Sequence, residues 1–84
     1  MLKVRTLELK SKTFKIVANT VDMDSKTVTV TPYVVQGLRM VEVGTTHKVE
    51  LEQTYQSAPE KADAVIESLI DKAIEDVQRY CNKL

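Results

Sequence analysis

The sequence predicts an α+β fold, an antiparallel sheet of four to five strands with one long C-terminal amphipathic helix packed on one face. Three observations carry this. Valine and threonine fill a quarter of the chain, almost all before residue 55, and both are β-branched types that suit a pleated surface better than a helix. The stretch TTHKVELEQTY places His47, Val49, Leu51 and Tyr55 on one phase and Lys48, Glu50, Glu52 and Thr54 on the other, the alternation of a sheet buried on one side. Beyond Pro59 no glycine or proline interrupts the chain, and its apolar residues recur at helical spacing.

Strand one is expected over residues 2–10. Its apolar pairs, Leu2 with Val4 and Leu7 with Leu9, lie on opposite phases, which predicts a bulge near Arg5–Thr6 or a strand apolar on both sides. Strand two, 14–22, sets Phe14, Ile16 and Ala18 against Val17 and Val21. The turn residues of MDSKT follow, then strand three, TVTVTPYVV. Its Pro32 has no amide to donate, which predicts an edge position or a bend. Gln36-Gly37 reads as a tight turn into the short strand LRMVEV, and Gly44 ends that run.

The helix is expected to start at a capping box, with Ser57 and Glu60 satisfying each other's amides and Pro59 in the first turn, where it costs no hydrogen bond. Ala62, Val65, Ile66, Leu69, Ile70, Ala73, Ile74, Val77, Tyr80, Cys81 and Leu84 share one arc of about 180°, wider than the ~100° stripe that one sheet requires. Part of it, Ile70, Ile74 and Cys81, is therefore a candidate dimer face, with a second copy of the chain as the simplest cover.

Eighty-four residues with two glycines and two prolines make a single domain, 1–84, divided into a sheet region, 1–56, and a helix, 57–84. The formal net charge is zero, so no global field draws the molecule to nucleic acid or membrane. With one cysteine, no disulfide can form within the chain. Residues 1–10 alternate charged and apolar types, unlike a signal peptide, and no apolar run reaches the ~18–20 residues of a membrane span. A cytoplasmic, intracellular protein without membrane contact is the expectation.

No catalytic, cofactor or metal motif is legible, so no cofactor and no enzymatic activity are expected. His47 shares a strand face with Val49 and Leu51 and reads as a core-edge histidine bonded to a backbone carbonyl. Cys81 lies near a helix C-terminus, where the dipole disfavours a thiolate, and reads as a packing thiol. Asp22 and Asp24 begin like a calcium loop but lack its sixth-position glycine and late glutamate. Glu50 and Glu52 share a face with Lys48, which marks it as solvated.

Two binding surfaces remain. In PYVVQGLRMV both strand phases are apolar, and one helix cannot cover both sides of a sheet. Tyr33, Val35, Leu38, Arg39 and Met40 therefore form a candidate protein-binding patch, of the composition enriched at interfaces. The alternative is Lys3, Arg5, Lys10, Lys12 and Lys15, which with Glu8 give residues 1–15 a net charge of +4 (five basic, one acidic) and could track a nucleic-acid backbone. Stacking aromatics or a groove-entering helix are missing beside them, and lysines on edge strands also block aggregation. The leading expectation is a non-enzymatic protein–protein interaction module that occludes a partner surface, an inhibitor or adaptor of the type found among small phage and mobile-element accessory proteins. A self-assembling structural subunit is the third possibility.

Overall fold

The computed structural model describes residues 2–20 and 26–84. Residues 23–25 of the expected MDSKT turn and the Asp22–Asp24 pair lie, with Val21, outside the described residues. The elements are β1 (Leu2–Leu9), β2 (Lys12–Thr20), β3 (Thr27–Gln36), β4 (Arg39–Glu42), β5 (His47–Glu50) and α1 (Pro59–Asn82). All strand pairs are antiparallel. The order is β1-β2-β3-β4, and β5 pairs with β3 on the same side as β4. The expected α+β architecture is the one formed.

The register explains how two short strands share one neighbour. Tyr33 opposes Glu42 and Thr27 opposes Glu50, so six steps along β3 meet eight along the chain from β4 to β5. The two additional residues bulge out around Gly44. An even insertion keeps the side-chain phase, so Val41 and Val43 turn to the same side as His47 and Val49. Pro32 sits at this bulge. Its carbonyl accepts the Val43 amide at 3.1 Å, which places its donor-less nitrogen toward the gap between β4 and β5. That is why β3 is a central strand and not the edge that Pro32 predicts: the missing donor falls where the ladder is already interrupted.

β1 pairs with β2 without a bulge, from Leu2↔Asn19 to Leu9↔Lys12. The strand is apolar on both sides instead. Leu7 and Leu9 lie on the face toward α1, where Leu7 pairs with Phe14; Leu2 and Val4 lie on the other face. The β1–β2 hairpin turns on Lys10 and Ser11, both at positive φ (51° and 63°), the twist that a two-residue hairpin demands. The β3–β4 hairpin uses Gly37 at φ 64°.

The core lies between α1 and one sheet face. Phe14, Ile16, Val28, Val30 and Val34 from β2 and β3 meet Ile66, Ile70, Ala73 and Val77 of α1, all 2% exposed or less. Each large side chain so buried contributes about 1.5–3 kcal/mol before chain entropy is counted. Tyr80 closes one end edge-to-face on Phe14, ring centres 5.9 Å apart. One twisted sheet takes up the whole helical arc: Val65 and Ile74 pack on its flanks, and only Leu84 stays exposed. Ile70 and Cys81 keep 2% and 4% of their surface. The face expected to meet a second copy is occupied by the chain's own core.

The helix starts at Ala58, with no side-chain cap. The expected capping box does not form, because the Thr54 hydroxyl donates to the Ser57 hydroxyl at 2.9 Å and accepts the Ser57 amide at 3.1 Å. Pro59 takes the first-turn position as expected. β5 ends at Glu50, short of the expected residue 55; Leu51 remains buried and Tyr55 packs on the core from the following turn.

Two substitutions check this account. Ser11→Gly relieves a left-handed non-glycine residue costing ~1–2 kcal/mol and adds chain entropy worth ~0.5–1 kcal/mol. Urea denaturation is expected to show a net gain of about 0.5–1 kcal/mol. At Gly44 a Cβ would stand 2.8 Å from the Asp76 side chain. Gly44→Ala is expected to cost about 1–3 kcal/mol through overpacking, and an unchanged midpoint would contradict this packing.

Candidate protein-docking surface

The helix covers one face of the sheet, and the polar groups around it hold it there. Lys3 and Arg5 of β1 point toward α1. The Lys3 Nζ lies 3.4 Å from Asp63, and the Arg5 guanidinium donates to both carboxylate oxygens of Glu67 at 2.8 and 2.9 Å. The spacings match: alternate residues of a strand repeat at about 6.6 Å, residues four apart on a helix at about 6 Å. Both pairs are nearly half exposed, so each is worth about 0.2–1 kcal/mol and fixes position more than stability. Lys10 Nζ donates to the Cys81 carbonyl at 2.8 Å, tying the first hairpin to the last turn of α1.

On the other flank, Asp76 is buried to 6%. His47 Nε2 meets its Oδ2 at 2.8 Å, and Arg79 donates to its Oδ1. His47 thus bonds to a carboxylate and not to the backbone carbonyl expected for it. Gly44 is the reason the bulge comes close enough, since any side chain there would strike Asp76. Both carboxylate oxygens are used within the chain, and the Cys81 thiol is buried, which makes this a clamp between bulge and helix. Among the described residues no group of three metal-binding side chains converges, and no helix is long and apolar enough to cross a membrane.

Besides a small cleft of about 120 Å³ beside Lys3, Arg5 and Glu67, two clefts flank α1 among the described residues. One, about 360 Å³, lies between β5 and the start of the helix over Val49, Leu51, Ala62 and Val65. The other, about 270 Å³, lies beside Gly44 under Arg79 and Lys83. Neither contains a buried side-chain nitrogen or oxygen without a partner.

The opposite sheet face is uncovered among the described residues. Across it run Glu8–Thr13, Thr6–Lys15–Tyr33–Glu42, Val4–Val17–Thr31 and Leu2–Asn19–Thr29–Lys48 as cross-strand rows, with Val35 beside Met40. An apolar strip crosses it between polar residues. Leu2, Val4 and Met40 are 64%, 49% and 45% exposed, and Val17, Tyr33 and Val35 are half-buried among them. Of the five patch residues named from sequence, Tyr33, Val35 and Met40 share this face. Leu38 projects fully exposed from the β3–β4 turn, and Arg39 turns to the helix side. Val41, also on the helix side, stays exposed, so this hairpin reaches past the end of α1. Leu2, Val4 and Val17 join the surface and were not assigned to it from sequence; the two-sided apolar phase of β1 and the Val17 phase of β2 were the signal.

The basic residues do not gather. Lys3, Arg5 and Lys10 are engaged with α1, Lys12 shares the helix-side phase with Phe14, and Lys15 alone lies on the open face. Comparison with protein-family models, curated proteins and solved structures finds no match.

The Asp63 carboxylate also accepts from the Tyr55 hydroxyl at 2.9 Å. This hydrogen bond, with burial and the nearby negative charge, raises the Tyr55 pKa above its ordinary 10.0. A raised folded-state pKa means that the stabilisation is fully present below the free tyrosine value and is lost as pH climbs through the folded one. Asp63→Asn is expected to bring Tyr55 ionisation back down toward 10.0, read as an earlier phenolate absorbance rise. An unchanged alkaline titration would contradict the contact.

Proposed function

We propose that this chain is a non-catalytic protein–protein interaction module that docks through the open face of its sheet and the projecting β3–β4 hairpin. The uncovered apolar strip of Val4, Val17, Tyr33, Val35 and Met40 carries the proposal. An apolar strip edged by Glu8, Glu42 and Lys48, with Lys15 set among it between Thr6 and Tyr33, has the mixed apolar and charged layout of a protein interface. The surface is preformed on a sheet held from behind by α1, so docking orders little of the chain and loses little entropy. It acts by occlusion, as an inhibitor or adaptor that covers a partner's working surface.

Capture from source-cell extract on the immobilised chain tests this, with nuclease and at two salt concentrations, comparing the natural chain with the Tyr33→Ala, Met40→Ala double variant. A stoichiometric protein that survives nuclease and moderate salt, and is lost by the variant at unchanged circular dichroism, is the expected result. Collapse of the variant's dichroism would make these residues part of the core and overturn the proposal. Nucleic acid that disappears as salt rises would overturn it in favour of backbone binding by the lysines.

A further inference from the structure

We propose that the occupant of the open sheet face is a second copy of this chain, related by a two-fold axis that runs across the strands along the row Val4–Val17–Thr31. This rests on reading that face as a docking surface and adds the partner and its orientation.

The charge pattern argues for it. Val4 opposes Val17 and Val17 opposes Thr31, so these three residues lie in one line across three strands. Glu42 stands opposite Tyr33, two residues beyond Thr31 on β3; Lys48 stands opposite Thr29, two residues before it. Both carry exposed side chains on the open face. A half-turn about the central row exchanges the two positions. Glu42 of each copy then comes over Lys48 of the other, twice by symmetry, while Val4 and Val17 meet their own counterparts on the axis. Lys15 falls over Asn19, and Thr6 over Leu2. Glu50, opposite Thr27 on the same face, falls over Met40 without a charged partner, and no like charges are opposed.

A two-fold running along the strands, midway between β2 and β3, lacks this match. It sets Glu42 over Thr6 and Lys48 over Leu2, removing both charges from water without a partner. The self-complementary arrangement is therefore the cross-strand one, as an isologous contact requires.

Size agrees as well. Four strands about 4.8 Å apart and about nine residues long at ~3.3 Å each give roughly 570 Å² of flat area per copy. Corrugated by side chains, this approaches the ~800 Å² per partner of a standard interface. Two sheets stacked with their apolar faces inward at about −30° make a sandwich. The half-turn sends the two β3–β4 hairpin tips, with Leu38 and Arg39, to opposite ends of the assembly, where both remain free to engage a further protein.

Sedimentation equilibrium on the full chain tests this with Glu42→Lys, Lys48→Glu, the two combined, and Val17→Asp. The natural chain is expected to dimerise. Each single reversal replaces two attractive pairs by two repulsive ones and is expected to weaken the dimer about tenfold. The combined reversal restores the pairs and is expected to return to within about threefold of the natural chain. Val17→Asp is expected to be monomeric with unchanged circular dichroism; should it unfold, the reversals at exposed positions decide the matter. A chain monomeric at all accessible concentrations would overturn the second-copy assignment, and the capture comparison of Tyr33 and Met40 then judges open-face docking separately. A dimer whose combined reversal is no tighter than the single ones would overturn this two-fold. A dimer indifferent to every one of these substitutions would place the contact elsewhere and overturn the second-copy assignment for this face, with open-face docking still judged by the capture comparison.

Discussion

Among the described residues one helix, 24 residues long, is the whole cover of a sheet four strands wide, and it lies on one side. At about 1.5 Å per residue α1 extends roughly 36 Å and packs chiefly over β2 and β3, where Phe14, Ile16, Val28, Val30 and Val34 have almost no surface left. Every other feature answers to that limit. β1 lies beyond full reach of the apolar face of α1, and there Lys3 and Arg5 extend toward Asp63 and Glu67 where leucine or valine would have remained half wet. On the far flank the chain from β4 to β5 bulges toward the helix at Gly44, and Asp76 receives His47 from it. Among the described residues no element lies over the other face.

The two flanks are held by different chemistry. The β1 side relies on exposed ion pairs, which are weak in water and interchangeable. The β5 side relies on a buried carboxylate whose two oxygens each have a partner. Removing either partner from such a site leaves a desolvated charge, a far larger penalty than loss of a surface pair. The helix is therefore pinned on the bulge side and steered on the β1 side.

Much of the architecture is legible in the residues. The β-branched first two-thirds, the period-two run at His47–Leu51 and the unbroken helical stretch after Pro59 are each decided by local chain chemistry. The places where sequence misleads are those decided by distant neighbours. Ser57 and Glu60 fit a capping box, yet Thr54 lies close enough to take the Ser57 hydroxyl first. Pro32 argues for an edge strand until a bulge opposite absorbs the missing donor. The wide apolar arc on α1 argues for a second helix partner until a twisted sheet takes it up. A histidine on a buried strand phase and an aspartate between Ala73 and Val77 on a buried helix arc were each visible, but only the fold brings them to 2.8 Å. Part of the candidate surface was visible in the double apolar phase around Tyr33 and Met40; its extension to Val4 and Val17 follows from strand order, which periodicity does not encode.

The order in which these parts leave the ribosome adds a burden that the finished molecule conceals. Strands β1 to β5 all precede α1 in the chain, so the sheet emerges with neither face shielded. At synthesis rates of about 5–20 residues per second the helix follows only on the order of seconds later. Through that interval Phe14, Ile16 and Val30 are as exposed as Val4 and Val17. Until the last turns of α1 are out, both faces of the nascent sheet are equally open to contact with other chains.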